Sequence, residues 1–416
     1  MRILYDCFSC SPYYGSDEGI GWMWPYLMRR YHEVWALVRN DRKKDIEEYC
    51  RDNKIEDIHF VYCDIPEYLN FYYYNKKRGK NGTLDFLLYQ FLWQFVALNK
   101  AKLLHKKVHF DIVHHVCTND FRLLGFMYQL NTPFIIGPIG GAQETSESLK
   151  IYVHEHIRKE KLRKAINQLM IALPGYKKAL RKADRIYFSN IETFSYLAPY
   201  IKNKNKCSIL TEIGTVDSWE KIPTNTHTMD RCTFLWVGRM EYRKGLELLI
   251  DVIRKLPLNK KWNVVLCGDG SERLKIQKIV SGSNFSDRVS FLGHVSYLEI
   301  MEIYRDATVF VFPSLRETTG TVLLEAMSCG LPVICLKQGG AANIVNEQTG
   351  FLIDVDNLSQ CLNQFAHAME FFIDHPEAAV RMGENARNHA LTDYSWNSKI
   401  DFMNREYQKI SLKTER

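Results

Sequence analysis

The stretch from Thr308 to Gly340 constrains the fold of this chain more than any other. Thr308 to Phe312 is a short run of β-branched and aromatic residues, which predicts a buried strand. After a polar loop, a helix is predicted from Gly320 to Ser328, ended by Cys329-Gly330. Pro332 to Leu336 predicts a second buried strand. Strand, helix and strand within about thirty residues make a parallel βαβ unit.

Two carboxylates flank the start of this predicted helix. Glu317 lies at the carboxyl end of the first strand, where open α/β sheets bind ligands, and Glu325 lies within an otherwise apolar helix. The first backbone N–H groups, those of Gly320, Thr321 and Val322, would bind an anion. Thr321 and Glu325 are one turn apart and share a face. The pattern suits a nucleotide-sugar; the alternative is a solvated loop glutamate and a helix glutamate paired with a lysine or arginine.

The E-x7-E spacing of Glu317 and Glu325 lies between Pro-Ser and the sequence LEAMSCGLPV. It resembles the signature of retaining glycosyltransferases of family 4, which have the GT-B fold. In that family the first glutamate contacts the donor sugar and the second hydrogen-bonds the nucleotide ribose. The resemblance implies the α/β class, with two Rossmann-like domains facing across a cleft. The chain departs from the pattern at Thr318 and Thr319, where the family more often has Gly and Phe.

The length of 416 residues favours two or three domains with substantial cores. The best candidate boundary is Ile213 to Asp217, followed by the polar residues 218–230. With the resemblance, it implies a Rossmann-like acceptor-side domain over residues 1–217 and a nucleotide-sugar-binding Rossmann-like domain over 218–394. Residues 395–416 would form a helix that crosses back to the first domain.

The formal net charge of +7 is spread along the chain. This mild basic bias is compatible with an anionic membrane or a phosphorylated substrate and too weak to indicate a nucleic-acid partner. The chain begins on a predicted strand, without a signal peptide or an apolar run that could span a bilayer. Its eleven cysteines, an odd number in apparent core segments, indicate a reducing cytosol. We predict a cytoplasmic location and leave contact with the inner face of the membrane open.

Seven short apolar runs in the first half predict buried strands, and most are separated by patches with helical spacing. This alternation predicts a doubly wound α/β sheet. The runs are Arg2–Cys7, Glu33–Val38, Ile58–Cys63, Asp111–Val116, Pro133–Ile136, Arg185–Phe188 and Ser208–Ile213.

A glycine-containing segment, Gly15 to Gly21, follows the first predicted strand. It is neither a dinucleotide-binding fingerprint nor a phosphate loop of an NTPase. Its glycines would let backbone amides approach a diphosphate, and a plain turn is the alternative. GSDEGIGW resembles a loop found at this position in family 4, which implicates Gly15 and Ser16. Pro25 predicts that the following helix starts late or kinks.

Two histidines, His114 and His115, end the predicted strand from Asp111 to Val116. Neighbouring side chains of a strand point to opposite faces, so at most one of them can face a cleft. We predict His114 as that catalytic residue, with a structural histidine as the alternative. Family 4 members often carry a functional histidine two positions further on, where this chain has Val116.

The glycine-rich segment Gly137 to Gly141 follows the next predicted strand and resembles a loop found in a subset of the family. Gly140 and Gly141 would allow close backbone approach. Together with Gln143 and Glu144 they are predicted acceptor contacts.

Residues 71–109 are rich in aromatic and basic residues. Leu84 to Leu98 has helical spacing and predicts a core helix of the first domain. The alternative is a surface at a membrane interface, because Tyr and Trp beside lysines suit the headgroup level. Residues 154–171 predict a second basic amphipathic helix with the same two interpretations.

The second half begins with predicted strands at Cys232–Val237 and Trp262–Cys267. Gly238 and Arg239 follow the first of these, and Lys244 lies where the next helix begins. Fixed cations at this edge would stabilise a diphosphate leaving group; two surface cations are the alternative. VGR followed five positions later by KG is similar to the phosphate-binding pair of family 4.

The segment Val289 to Val295 is similar to the turn whose backbone reads the nucleobase in family 4, which implicates His294 and Val295. No D-x-D motif follows a suitable strand, because Asp354-Val-Asp356 is late and loop-like. We therefore predict transfer without a metal, and no cofactor beside the donor substrate.

The motifs together predict a retaining glycosyltransferase that moves a sugar from a nucleotide-sugar to an acceptor hydroxyl. Arg239 and Lys244 would bind the diphosphate, Glu325 the ribose and Glu317 the sugar hydroxyls. By analogy with the family, the acceptor is a glycan of cell-surface polysaccharide biosynthesis, with a lipid-linked glycan and contact with an anionic membrane left open. The alternatives are an epimerase-like GT-B nucleotide-sugar enzyme and a non-catalytic membrane-associated subunit.

Overall fold

A computed structural model describes residues 1–66, 83–116, 120–216, 218–219 and 231–414 of the chain. These residues form two units. The first comprises Met1–Ala142, Arg163–Glu212 and Lys399–Arg416, and the second comprises Gln143–Leu162 and Ile213–Ser398. Residues 143–162 therefore group with the second unit, although the sequence-based division placed them in the first. The predicted boundary at Asp217, most of the polar segment after it and the aromatic run 71–82 lie outside the described residues.

The first unit is built on a seven-stranded parallel sheet with the order β3-β2-β1-β4-β5-β6-β7. Its strands are β1 (Arg2–Asp6), β2 (Glu33–Arg39), β3 (Ile58–Cys63), β4 (Ile112–His115), β5 (Phe134–Ile139), β6 (Arg185–Phe188) and β7 (Cys207–Ile209). The seven predicted strands are confirmed, and β7 ends four residues earlier than predicted.

The helices of the first unit are α1 (Ser16–Met28), α2 (Lys43–Asp52), α3 (Thr83–Val108), part of α4 (Ile157–Ala172), α5 (Tyr176–Lys182), α6 (Ile191–Leu197) and most of α14 (Trp396–Thr414). Trp93 of α3 is fully buried, and its indole N–H donates to the carbonyl oxygen of Cys63 at 3.0 Å. The prediction of a core helix in this region is therefore confirmed. No helix within the described ranges combines the length and apolarity that a membrane crossing requires.

Helix α1 differs from its prediction. It begins at Ser16, directly after Gly15, and continues through Pro25, so the predicted late start is wrong. Gly19 and Gly21 lie inside the helix rather than in a loop. A Cβ on Gly21 would lie 1.8 Å from the carbonyl oxygen of Ser9. This glycine therefore lets the helix pack closely against the chain that leaves β1.

The second unit contains a six-stranded parallel sheet with the order β10-β9-β8-β11-β12-β13. Its strands are β8 (Cys232–Val237), β9 (Trp262–Cys267), β10 (Val289–Gly293), β11 (Val309–Phe312), β12 (Val333–Leu336) and β13 (Gly350–Ile353). Its helices are α7 (Leu246–Ile253), α8 (Arg273–Ser281), α9 (Tyr297–Asp306), α10 (Thr321–Ser328), α11 (Ala341–Ile344), α12 (Leu358–Asp374) and α13 (Pro376–Asp393).

The predicted βαβ unit is confirmed as β11, α10 and β12, and β11 pairs in parallel with β12. Strand β13 was not predicted, and Val289 to Gly293, which was interpreted as part of a turn, forms strand β10. Each unit has its own core, in which Trp24 and Trp93 are fully buried in the first and Trp236 and Trp262 in the second. Both units are Rossmann-like α/β structures, as the motifs predicted.

Candidate active site

The strand order of the second unit changes direction between β8 and β11. In a doubly wound sheet, chain segments that leave two such strands diverge and open a crevice at the carboxyl edge. Here Gly238 and Arg239 leave β8, and Glu317 lies a few residues beyond the end of β11. The predicted charged residues thus belong to the two segments that this topology marks as a ligand site.

A cavity of about 370 Å³ opens at this edge, and we call it the switch-point cavity. Its volume lies in the lower part of the usual range for ligand pockets, roughly 300–1,000 Å³. Five predicted donor-binding residues line it together with neighbours from the ends of β9 and β10, among them Asp269 and Ser296. The five are Gly238, Arg239, His294, Val295 and Glu325.

Glu325 is held by a buried tyrosine of the neighbouring helix α9. The Tyr304 hydroxyl, which is fully buried, donates to Oε2 of Glu325 at 3.0 Å. Burial raises the pKa of Glu325, and the hydrogen bond from Tyr304 opposes this rise. The bond orients one carboxylate oxygen, and the other can accept hydroxyl groups of a bound molecule. Sequence reasoning missed Tyr304, because no local pattern connects it to a residue 21 positions away.

A second charged group lies outside the lining of the cavity. Lys244 forms an ion pair with Oε2 of Glu317, and Arg243 Nη1 approaches the same oxygen at 3.3 Å. The side chains of Lys244 and Glu317 are 12% and 18% exposed. One carboxylate therefore faces two cations, so a bound anion can take over Lys244 while Arg243 still compensates Glu317. Sequence reasoning missed Arg243, although its position directly before Lys244 was a usable signal.

Arg239 and Lys244 were predicted to act as a pair, but they occupy different surroundings. The Arg239 side chain is 76% exposed, lines the switch-point cavity and lies 3.4 Å from Glu241. Lys244 is largely buried against Glu317. The four residues predicted to form one group therefore form two. Arg239 and Glu325 line the switch-point cavity, and Lys244 and Glu317 form an ion pair on the same edge of the sheet.

Helix α10 starts at the predicted position, with Gly320 preceding its first residue. Gly320 has φ +93°, and a Cβ there would lie 2.7 Å from ring carbon Cζ of Phe312. Only glycine fits this turn without strain. The backbone N–H groups of Thr321 and Val322 belong to the first turn, where no intrahelical acceptor exists. They can donate to an anion at the edge that carries Glu317.

The prediction that His114 faces a cleft is wrong. His114 is fully buried, with Nδ1 2.5 Å from the Tyr407 hydroxyl and Nε2 2.6 Å from the carbonyl oxygen of Gly137. Burial lowers its pKa to about 3, so the ring is neutral. His115 is also buried, with Nδ1 2.6 Å from Asp6. Both histidines hold the first unit together, and neither can reach a substrate.

The glycines and the serine predicted as contacts in the first half lie at separate places in the fold. Gly15 precedes α1, and Ser16 begins it. Gly140 is buried and forms an isolated β-bridge with Asp120, and Gly141 has φ +98°.

Gln143 and Glu144 belong to the part of the chain that groups with the second unit. Gln143 is only 4% exposed, and its amide donates to the backbone carbonyl of Glu317 at 3.2 Å. It supports the donor-side loop and is too buried for the predicted acceptor contact. Glu144 is exposed.

Comparison with known proteins agrees with the motifs. The family model described as glycosyl transferases group 1 matches residues 217–389. The gpi3 subunit of phosphatidylinositol N-acetylglucosaminyltransferase from Schizosaccharomyces pombe is 27% identical over 213 residues, which cover 50% of this chain and 45% of that protein. The chain spans less than half the length of the curated relatives it matches.

Solved structures show the fold over nearly the whole chain. Sucrose-phosphate synthase from Thermosynechococcus elongatus has a TM-score of 0.64 at 19% identity and covers 98% of both chains. Anabaena HepE in complex with UDP has a TM-score of 0.62 at 15% identity, with 98% of this chain and 100% of that chain covered. Residues 217–389, which contain the Glu317 and Glu325 motif, are thus similar to the glycosyl transferases of group 1, in agreement with the resemblance of that motif to the family 4 glycosyltransferases of GT-B fold.

Proposed function

We propose that this chain transfers a sugar from a nucleotide-sugar to an acceptor hydroxyl with retention of configuration, in cell-surface polysaccharide biosynthesis. One observation carries the proposal. At the switch point of the second sheet, a carboxylate held by Tyr304 lines a cavity with Arg239, and the pair Lys244–Glu317 lies on the same edge. This arrangement offers acceptors for hydroxyl groups and donors for phosphates, which are the two chemistries of a nucleotide-sugar.

The proposed roles follow from these surroundings. Glu325 accepts hydrogen bonds from the ribose, because its carboxylate lines the cavity in a fixed orientation. The backbone of His294 and Val295 contacts the base. Lys244 and Arg239 bind the diphosphate, and Glu317, released from Lys244, accepts the sugar hydroxyls. The N–H groups of α10 add to the phosphate contacts.

Transfer then needs no protein base. The acceptor oxygen forms a bond to the anomeric carbon on the face from which the phosphate leaves. The sugar–phosphate bond breaks, and the acceptor proton passes to the departing phosphate oxygen. Negative charge grows on the diphosphate, where Lys244 and Arg239 stabilise it without reorganisation. Independence of a metal remains a prediction of this scheme.

Uridine donors are the first to test, because the solved structure of Anabaena HepE contains UDP. A lipid-linked acceptor is the second part of the proposal. Its support is the exposed apolar residues on two basic helices, among them Phe95 of α3 and Leu169 of α4, which are 43% and 61% exposed. Such a surface would place the protein at the anionic inner face of a membrane.

The test replaces the ion pair. Lys244→Ala and Glu317→Ala variants are expected to lose sugar transfer and keep a melting temperature near that of the wild type. Lys275→Ala is the matched control, because Lys275 pairs with Glu155 and Glu247 in the same unit and does not line the cavity. Full activity in either site variant would refute the proposal.

Two alternatives are distinguished by simpler measurements. Incubation of the donor without an acceptor would convert it if the chain were an epimerase-like enzyme. Calorimetric titration with UDP and GDP would detect no binding if the chain were a non-catalytic subunit. The proposed enzyme binds one of these nucleotides and leaves the donor sugar epimerically unchanged.

A further inference from the structure

Residues 143–162 form a segment of the second unit that precedes β6 in the chain, and we call it the strap. Its apolar residues Leu149 and Val153 are almost fully buried in the core of the second unit. Ser146 donates to Gln338 at 2.9 Å, and Tyr152 donates to Asp251 at 2.8 Å. The strap is therefore anchored by several contacts along its length.

The strap carries one buried carboxylate, that of Glu160, which is 8% exposed. Its Oε1 accepts a hydrogen bond from the Tyr242 hydroxyl at 2.8 Å and another from Arg316 Nη2 at 3.0 Å. Tyr242 lies two residues before Lys244, and Arg316 directly precedes Glu317. A single carboxylate thus joins the two loops that carry the ion pair.

The same two loops touch each other directly. The backbone N–H of Leu315 donates to the carbonyl oxygen of Arg243 at 2.8 Å. A Cβ on Gly245 would lie 1.9 Å from the carbonyl oxygen of Pro313, so the loops approach as closely as glycine allows. A shift of either loop therefore changes the position of Lys244 relative to Glu317.

Tyr242 is fixed from a second side by the strap. The ring of His156 stacks on the Tyr242 ring with 4.0 Å between centroids. Tyr242 therefore has its ring against one strap residue and its hydroxyl on another. This leaves the short 3-10 helix Tyr242–Lys244 little freedom to move.

We propose that Glu160 is a positioning residue that holds Lys244 and Glu317 in the geometry needed for donor binding. This rests on the proposed function of the ion pair. A buried carboxylate costs solvation energy that its hydrogen bonds must offset, and the bonds from Tyr242 and Arg316 come from the two donor-side loops. The attachment of the strap does not depend on Glu160, because Leu149, Val153 and Tyr152 anchor it elsewhere.

The test compares Glu160→Gln and Tyr242→Phe with the wild type. Glu160→Gln keeps the size and an acceptor for Tyr242 but leaves Arg316 without its counter-charge. Tyr242→Phe removes only the hydroxyl and keeps the stacking on His156. Glu155→Gln is the matched control, because this strap carboxylate pairs with Lys275, away from the two loops. The nucleotide is whichever of UDP or GDP binds the wild type, and the donor is its glucose conjugate.

Both site variants are expected to raise the donor KM and the nucleotide Kd by about tenfold, the size of one charge-assisted hydrogen bond. The acceptor KM stays close to that of the wild type in both variants. The melting temperature of Tyr242→Phe also stays close to the wild type, whereas that of Glu160→Gln falls because Arg316 loses its counter-charge. Glu160→Gln combined with Arg316→Gln is expected to bind the nucleotide better than Glu160→Gln alone, because the double variant removes the Arg316 charge together with its counter-charge.

A donor KM within twofold of the wild type in both site variants would overturn the proposal. A loss of kcat that follows the loss of folded protein, at unchanged donor KM, would also overturn it. If Glu160→Gln fails to fold, Tyr242→Phe decides. A wild-type protein that binds no nucleotide and transfers no sugar would instead refute the proposed function, so the two failures are distinguishable.

Discussion

The two sheets share a strand order but differ at the point where that order reverses. In the first unit the reversal lies between β1 and β4, whose last residues, Asp6 and His115, form a pair that is 0% and 1% exposed. In the second unit it lies between β8 and β11, and the charged residues beyond these strands are partly exposed. The same topology therefore serves packing in one unit and a candidate ligand site in the other.

Residue type alone therefore does not mark a ligand site. A histidine at a strand end is available only if no distant element covers it, and Tyr407 of α14 covers His114. In the second unit, Lys244 pairs with Glu317 and Arg239 with Glu241, and these side chains are partly exposed. A bound anion can therefore replace a carboxylate as the partner of either cation.

Exchanging the two residues of the Lys244–Glu317 pair tests whether the pair acts through the position of each charge or only through its contribution to stability. A Lys244→Glu/Glu317→Lys variant keeps a pair at the same place, so its melting temperature should stay closer to the wild type than that of Lys244→Glu alone. Transfer should fall about a thousandfold, the size expected when a fixed charge on a transition state is lost. Steady-state kinetics and thermal unfolding measure the two effects. An exchange variant with wild-type activity would make the pair structural, like Asp6–His115.

Glu325→Gln tests the cavity. Loss of the charged acceptor should weaken nucleotide binding by about 10- to 100-fold, because hydrogen bonds to charged groups contribute roughly 1.5–3 kcal/mol. Tyr304→Phe should have a smaller effect, since it removes the orienting hydroxyl and leaves the carboxylate. Calorimetric titration measures both affinities. Unchanged affinity in Glu325→Gln would remove the ribose contact from the account.

The fold could largely be predicted because most of its strands are indicated by the apolar residues of their own short segments. Trp262–Cys267 is apolar except for Asn263 and was predicted with its observed bounds. Strand β13 was not, because it is short and begins with Gly350, a residue that disfavours strands. Its glycine is needed for tertiary reasons, since a Cβ would lie 1.9 Å from the carbonyl oxygen of Val333. Local propensity carries no information about such a contact.

The candidate site divides in the same way. Glu317, Glu325, Arg239 and Lys244 could be selected because motif spacing and strand ends place them on one edge. Their supports could not, because Tyr304, Gln143 and Glu160 reach the site from elements far away in the chain. The prediction for His114 was wrong for the same reason, since its partner Tyr407 lies 293 residues away.

His114 should make the first unit acid-sensitive. Its pKa is about 3 in the folded protein because burial disfavours the charged ring, and about 6.5 when unfolded. Between pH 6.5 and 3 the unfolded state binds the additional proton, so stability falls as the pH falls, by up to about 1.4 kcal/mol per pH unit from this group. His114→Leu removes this contribution, and its stability should depend less steeply on pH. Urea unfolding of both proteins at pH 6.5 and 5 measures the difference; equal slopes would contradict it.

The exposed apolar residues of the first unit should give the smallest effect. Leu169→Glu is expected to weaken cosedimentation with vesicles containing anionic lipid by a few-fold, through lost apolar area and added negative charge. Leu274→Glu is the control, because Leu274 is 79% exposed in the second unit. Sugar transfer to a water-soluble acceptor should not change in either variant. Equal vesicle binding by the two variants would remove the membrane from the account.

A crystal structure of the protein with bound nucleoside diphosphate would show whether the switch-point cavity and the Lys244–Glu317 pair bind the donor together. We expect the ribose on Glu325, the diphosphate near Arg239 and the start of α10, and Lys244 moved from Glu317 to a phosphate oxygen. A nucleotide bound elsewhere, with Lys244 still on Glu317, would contradict it.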